Sequence, residues 1–348
     1  MVTINGRGVG PAHPPYIIAE MSGNHDGSLD TALAIVDAAA DAGADAIKLQ
    51  TYTADTMTLD CDGPGFVIRE PESPWYGSHL YALYEQAHTP WEWHEAIFER
   101  ARERGLTAFS TPFDATAVDF LESLDVPAYK VASFENIDLP LIERVARTGK
   151  PVIISTGMAT LAEIDEAVTT ARGAGCTELV LLKCTSTYPA PPEASNLAAI
   201  PVLAQAFGCD VGLSDHTLGI GVPVASVALG ACVIEKHVTL RRADGAVDSA
   251  FSLEPNELRA MVEETRRAWQ ARGTVSFGPT PEEVPSLIYR RSLYLVRDKR
   301  AGEVLSESDV RAIRPGYGLP PKYLGDVLGR SLARDAVRGT PLAWDLLA

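Results

Sequence analysis

Between Tyr16 and Arg272, eight short and nearly unbroken apolar runs alternate with segments of helical periodicity. The runs cover residues 16–20, 44–50, 106–111, 128–133, 151–156, 178–184, 209–215 and 231–237. An unbroken apolar run, as opposed to an alternating one, is what a parallel strand covered on both faces requires. Between the runs, Ala32, Ile35, Val36 and Ala39 share one helical face, as do Val118, Leu121 and Leu124, and then Leu258, Met261, Val262 and Ala268. Thr160 stands where the N-cap of a helix over 161–172 belongs. Eight strand–helix units in roughly 260 residues predict a (β/α)8 TIM barrel. A doubly wound open sheet is the competing α/β solution, but no GxGxxG follows the first run.

Two stretches break the rhythm. Residues 52–90, between the second strand and its helix, are rich in Pro, Gly, Asp and aromatics. A βα loop of that length belongs over the active face of a barrel, and a partial lid is expected there. Residues 273–287 read as a Gly/Pro/Ser linker, after which 288–348 carry short strand signals, tight turns and little helix. The chain therefore divides into a barrel domain over 1–272, the linker, and a small β-rich domain over 288–348.

The formal charge of the 348 residues is −16, from 30 Lys+Arg against 46 Asp+Glu, and Arg290, Arg291, Arg297, Lys299, Arg300, Arg311, Arg314 and Lys322 all fall in the tail. So acidic a barrel repels phosphate backbones, and the basic tail lacks the aromatic interleaving of a stacking surface, so no nucleic-acid partner is expected. The longest nearly apolar stretch, 222–234, is interrupted by Pro223, Ser226 and Gly230, too short and too broken for a membrane span. With no apolar signal core in MVTINGRGVG and five scattered cysteines without a CxxC pair, a cytoplasmic protein with free thiols is expected. Cys184 falls near the strand ends, but its surroundings in sequence do not make it a nucleophile.

The carboxyl ends of barrel strands carry the chemistry of this fold. Here each ends in a polar residue: Glu20; Lys48 and Gln50; Ser110 and Thr111; Lys130 leading to Ser133, Glu135 and Asn136; Ser155 and Thr156; Lys183 leading to Thr185, Ser186 and Tyr188; Ser214, Asp215 and His216; Glu235, Lys236 and His237. Buried lysines need partners, and Lys48 and Lys130, read as lying on neighbouring strands within a rim of hydroxyls, suit an anion with several oxygens, phosphate above all. His216 and His237 end adjacent strands and should face one another. Two imidazoles, a nearby carboxylate and open positions suit a divalent cation that takes both N and O ligands, such as Mn²⁺. No cysteine cluster accompanies them, which argues against a closed zinc site. His25 is a third polar candidate without a decisive partner. Asp215 either orients His216 or caps the following helix, and Glu20 either does acid–base work or caps the NHDG loop.

The segments IIAEMSGNHDGS, GADAIKLQTYTADTMT, STPFD, YKVASFEN, KPVIISTGMA, LLKCTSTYPAP, VGLSDHTLG and IEKHVTL resemble the sialic acid synthase family. RRSLYLVRDKRAGEVLSESDVRAIRPGYGL is similar to the antifreeze-like (SAF) domain that follows that family's barrel. The resemblance runs in order along practically the whole chain. EMSGNH, TPWEWH and VDSAFSLEP look more like the pseudaminic acid branch than the N-acetylneuraminate branch. Asp26 replaces an expected Asn, and Ala246 stands where a second Gly is common, near a sugar contact.

The resemblance implies a metal-dependent transferase that joins phosphoenolpyruvate to an open-chain N-acylated amino sugar, releasing phosphate by C–O cleavage. In the pseudaminic branch the acceptor is 2,4-diacetamido-2,4,6-trideoxy-L-altrose, with N-acetylneuraminate and legionaminate synthesis as alternatives on the same scaffold. It places the metal on His216 and His237, with Mn²⁺ preferred to Mg²⁺ or Co²⁺. It places phosphoenolpyruvate on Lys48, Thr111, Lys130, Ser133, Ser155, Ser186 and Ser214, although Asn is usual at Ser186 in the neuraminate branch. The sugar falls to Glu20, Gln50, Tyr188 and Asp248. Ala250 and Phe251 are compatible with a deoxy terminus. A domain-swapped homodimer is implied, with Arg314 reaching the partner's site.

Two readings compete from the residues. A Schiff-base aldolase would draw on Lys48, Lys130, Lys183 or Lys236, would be trapped by borohydride with a keto substrate and would ignore EDTA. A non-catalytic barrel with a glycan-binding tail would release no phosphate from any amino sugar.

Overall fold

The computed structural model describes residues 2–348. It contains two compact units, divided after Gly273. In the first, eight parallel strands close into a barrel: β3 (Tyr16–Glu20), β4 (Ala46–Thr51), β5 (Thr107–Pro112), β6 (Tyr129–Val131), β7 (Val152–Ser155), β8 (Leu179–Cys184), β9 (Asp210–Asp215) and β10 (Val233–His237), with β10 pairing back onto β3. Each strand falls on one of the eight apolar runs. The TIM-barrel reading therefore holds, and the doubly wound alternative is excluded.

The amphipathic segments form the outer ring. α1 (Leu29–Ala42) is capped by Ser28, whose hydroxyl accepts from the Thr31 amide. The ring continues with α4 (His94–Glu103), α5 (Ala115–Ser123), α6 (Leu139–Ala146), α7 (Leu161–Gly173), α8 (Ala199–Phe207), α9 (Gly221–Ala228) and α10 (Pro255–Arg272). Thr160 caps α7 in a capping box with Glu163. Strand and helix side chains merge into one core, in which Ile17, Ile47, Phe109, Ile153 and Leu181 have no measurable exposure. Gly212 on β9 lies so close to β10 that an added Cβ would fall 2.3 Å from the Val233 carbonyl oxygen; the close strand approach needs glycine.

An element absent from the sequence reading precedes the barrel. The hairpin β1 (Val2–Ile4) and β2 (Arg7–Val9) buries Val2, Ile4 and Val9 against the core. The Thr3 amide donates to Glu178, just before β8, at 2.8 Å, and so the hairpin covers the amino end of the barrel. At the opposite end, the 52–90 insertion carries two short helices, α2 (Ala54–Met57) and α3 (Leu80–Ala87).

The second unit has its own core of Leu293, Leu295, Leu305, Val327, Leu332 and Leu342 around the antiparallel pair β11 (Ser292–Leu295) and β12 (Val310–Ile313), with one helical turn, α11 (Leu324–Val327). Among the described residues, no helix is long and apolar enough to cross a membrane.

Candidate active site

Strand parity decides which polar residues reach the barrel axis. Along β10, Glu235 and His237 share one face while Lys236 takes the other. In register, His237 lies beside Glu20 and Glu20 beside Lys48, while Cys184 lies beside Ser214 and Ser214 beside Glu235. These residues gather inside the barrel mouth.

Two ammonium groups and two carboxylates form its floor. Lys48 pairs with Glu20 and donates to Thr111 Oγ1 at 3.0 Å, and Gln50 Nε2 donates to Glu20 at 3.0 Å. Glu235 stands 3.9 Å from Lys48 Nζ and 3.9 Å from Lys130 Nζ, and accepts from the Ser214 hydroxyl at 2.9 Å. Contrary to the expectation from sequence, Lys48 and Lys130 are not on neighbouring strands: β5 separates them, and Glu235 is what draws both ammonium groups to one place.

Burial would pull Lys48 down, but Glu20 and Glu235 outweigh it and raise its pKa. At Lys130 burial prevails over Glu235 and the pKa falls. Glu20 is pushed up by burial despite Lys48, whereas Lys130 and Lys48 overcome burial at Glu235 and lower it. Beside them, burial raises the Glu135 carboxyl to about 7.

Above the floor stands a ring of hydroxyls. Ser133 Oγ accepts from the Gly157 amide at 3.2 Å, and the Ser155 hydroxyl is buried without a hydrogen-bond partner. A Cβ on Gly157 would lie 2.3 Å from Ser186 Oγ and 2.6 Å from Ser133 Oγ, so glycine is what leaves room for both hydroxyls. The Ser186 hydroxyl is 3.8 Å from Cys184 Sγ.

The two imidazoles do face one another, with ring centroids 5.3 Å apart. His216 Nδ1 donates to the Thr185 carbonyl at 2.8 Å, which makes Nε2 the nitrogen that could bind a cation; burial would lower the ring's pKa, but the neighbouring Cys184 thiol outweighs it and raises it. Burial, aided by the neighbouring cations, holds His237 well below the ordinary histidine range, so it is neutral. Its Nδ1 is shielded from solvent and has no partner. Tyr188 lies 4.4 Å from the His216 ring and Phe251 5.0 Å from the His237 ring. Asp248 is buried and accepts from the Ser22 hydroxyl, and burial raises its pKa.

Some expected candidates lie elsewhere. Asp215 neither touches His216 nor caps α9; it accepts from Thr217 and pairs with Lys236 on the helix-facing side of the sheet. Glu20 caps no loop, its carboxylate being held by Lys48 and Gln50. Lys183 has the parity opposite to Cys184 and donates to the Cys184 carbonyl at 2.7 Å. His25 is fully buried against Trp93 and Thr89, and burial lowers its pKa to about 4. Ala250 is exposed while Phe251 is buried. Arg314 is an exposed residue of the second unit.

Residues 35–276 match the NeuB family, and residues 290–348 match the SAF domain. The chain belongs to the NeuB family. As such it is an enzyme, a transferase that forms a carbon–carbon bond. It is 44% identical to the pseudaminic acid synthase of Campylobacter jejuni over 327 residues, 94% of this chain and 95% of that one. It is 38% identical to the N,N'-diacetyllegionaminic acid synthase of Legionella pneumophila over 337 residues, 95% of this chain and 94% of that one. The crystal structure of the N-acetylneuraminic acid synthetase of Leptospira borgpetersenii superposes with a TM-score of 0.73 at 33% identity, covering 83% of this chain and 95% of that one.

Among the described residues of this NeuB-family chain, no three His, Cys, Asp or Glu side chains cluster to hold a metal. The imidazole pair nevertheless fits a divalent cation that shares its coordination sphere with substrate and water: both rings offer lone pairs, and His237 Nδ1 is an orphan.

Glu235, named among the strand ends but given no role, and Trp75, not named at all, are the residues whose part sequence reasoning missed. Glu235 has the same parity as His237, two residues on, which was a readable signal. Trp75 comes from the long insertion, and nothing in the sequence located it: its indole N–H donates to the Val247 carbonyl at 3.0 Å and its ring lies 5.6 Å from Tyr188. The insertion therefore does cover the barrel mouth, as a partial lid.

Proposed function

We propose that the chain is a pseudaminic acid synthase, condensing phosphoenolpyruvate and water with 2,4-diacetamido-2,4,6-trideoxy-L-altrose to give pseudaminic acid and phosphate. One observation carries the reading: two buried ammonium groups converge on Glu235 beneath a facing pair of neutral-capable imidazoles. This is a floor for a trianionic three-carbon substrate set under a cation site. The branch is supported by the 44% identity to a pseudaminic acid synthase against 38% to a legionaminic acid synthase.

Lys48 and Lys130 hold the carboxylate and phosphate and set the enol carbon toward the aldehyde. The Ser133, Ser155 and Ser186 hydroxyls, with Thr111 and Ser214, complete the oxyanion contacts. His216 and His237 would hold a divalent cation, Mn²⁺ by the mixed N and O donors. Bound there, it supplies Lewis-acid polarisation of the aldehyde oxygen. Gln50, Tyr188 and Asp248 orient the sugar. Glu20, raised by burial and fixed by Lys48 and Gln50, takes the proton of the water that adds to the phosphate-bearing carbon. Phosphate then leaves with the bridging oxygen. Arg314 is assigned to a second subunit's site, in a swapped homodimer; mixing Arg314→Ala with Glu20→Ala subunits should then restore activity that neither variant has alone.

Phosphate release is to be assayed in parallel with the trideoxy-altrose, N-acetylmannosamine and the trideoxy-mannose acceptor of legionaminate synthesis. The altrose sugar should give the highest kcat/KM, and EDTA should abolish release. A different best sugar overturns the branch; release from none overturns the synthase reading. Oxygen-18 in the bridging position of phosphoenolpyruvate should appear in phosphate, and its retention in the nonulosonic acid would refute C–O cleavage.

A further inference from the structure

Resting on the synthase reading above, we propose that Trp75 is a specificity-determining residue: it closes the sugar side of the site as an apolar wall and selects acceptors whose terminal carbon is a methyl group over those ending in hydroxymethyl. The indole is placed by three contacts. Its N–H donates to the Val247 carbonyl at 3.0 Å, next to Asp248, and its ring packs 5.6 Å from Tyr188 and edge-on 6.3 Å from Phe251. Tyr188 and Phe251 in turn touch the two imidazoles. The three rings thus form one continuous surface from the lid to the cation site.

The hydrogen-bonding content of that surface is low on its Trp75 and Phe251 side. Tryptophan has one polar hydrogen, and the Val247 carbonyl already takes it. Phenylalanine has none, and the one hydroxyl of the three rings, that of Tyr188, is engaged with Ser186. A sugar carbon lying against Trp75 and Phe251 therefore meets no partner for a hydroxyl. Burying a hydroxyl without a partner is unfavourable, whereas a methyl gains contact. An apolar pocket discriminates against an added hydroxyl by about 10–100-fold and not more, because a water can follow it in. The lid loop is also where such a choice can be made without disturbing the floor, since Trp75 touches none of Lys48, Lys130 or Glu235.

The test uses two N-acetylated aldohexose acceptors that differ only in methyl or hydroxymethyl at the terminal carbon, with the full-length enzyme, each substrate being varied at a saturating level of the other. Wild type should favour the methyl sugar by at least about 10-fold in kcat/KM. Trp75→Ala should reduce that preference to under about 3-fold, mainly through a higher KM for the methyl sugar, with KM for phosphoenolpyruvate unchanged. Trp75→Phe should keep most of the preference. If Trp75→Ala retains the full preference, or if KM for phosphoenolpyruvate moves as much as that for the sugar, the assignment is overturned. If wild type turns over neither sugar, it is the synthase reading that fails. Should Trp75→Ala not fold, the emission change that the methyl sugar induces in wild type and Trp75→Phe decides: a change lost in Trp75→Phe supports contact with the sugar, and one that persists contradicts it.

Discussion

Lys48 and Lys236 are both buried lysines on barrel strands, each with a carboxylate partner, yet they sit in opposite settings. Lys236, with no exposure, lies between sheet and helices, where Asp215 and the Thr217 carbonyl take its protons. Burial lowers its pKa against the pull of Asp215. Every polar atom of that pair is answered locally, and nothing remains for a ligand. Inside the barrel, Lys48 and Lys130 share Glu235 at 3.9 Å each, while the Ser155 hydroxyl and His237 Nδ1 go unanswered. A buried ion pair that is complete belongs to the scaffold; a buried cluster left incomplete is shaped for something else.

The contrast can be broken by single substitutions. Lys236→Met leaves Asp215 buried without its cation and should cost about 3–5 kcal/mol of stability. Turnover per folded molecule should be unchanged, as read by chemical denaturation and by activity normalised to the folded fraction. A large loss of kcat in a stable Lys236→Met protein would erase the distinction. Lys48→Met and Lys130→Met should do the opposite. Each should lower kcat/KM by roughly 10²–10³-fold, as loss of a preorganised charge does. Their melting temperatures should fall less than that of Lys236→Met, because Glu20 keeps Gln50 and Glu235 keeps Ser214 and the remaining lysine.

Parity is also why the fold was more legible than the site. Eight apolar runs report strands whichever way their residues point, and all eight strands fall on them. The same runs cannot tell Asp215 from Ser214, or Lys236 from Glu235, until the barrel closes and fixes which face is inside. His216 and His237 were readable because each ends a strand and adjacent strands bring such ends together. Trp75 was not, because a 39-residue insertion (positions 52–90) has no period from which its contacts could be derived. The β1–β2 hairpin was missed because three-residue strands carry too little pattern.

A smaller effect sharpens the same comparison. His94, on the helix-facing side, bonds Thr51 Oγ1 at 2.8 Å, and burial lowers its pKa, like that of His25, to about 4. Both are neutral in the fold, while the unfolded chain takes up protons near 6.5. Their contribution is therefore complete above pH 6.5 and is lost as pH falls toward 4. Stability should drop by about 2 kcal/mol for each between pH 7 and pH 5. His94→Gln should flatten that slope in urea titrations at the two pH values; an unaltered slope would remove His94 from the acid response.

The imidazole pair is tested most directly by Mn²⁺ binding to the full-length protein, followed by electron paramagnetic resonance without any substrate. One Mn²⁺ per chain is predicted for the wild type, with nitrogen hyperfine coupling, and loss of that binding in His216→Ala and in His237→Ala while Lys236→Met binds normally. Binding that survives removal of both rings would contradict the assignment of His216 and His237 as the cation's holders.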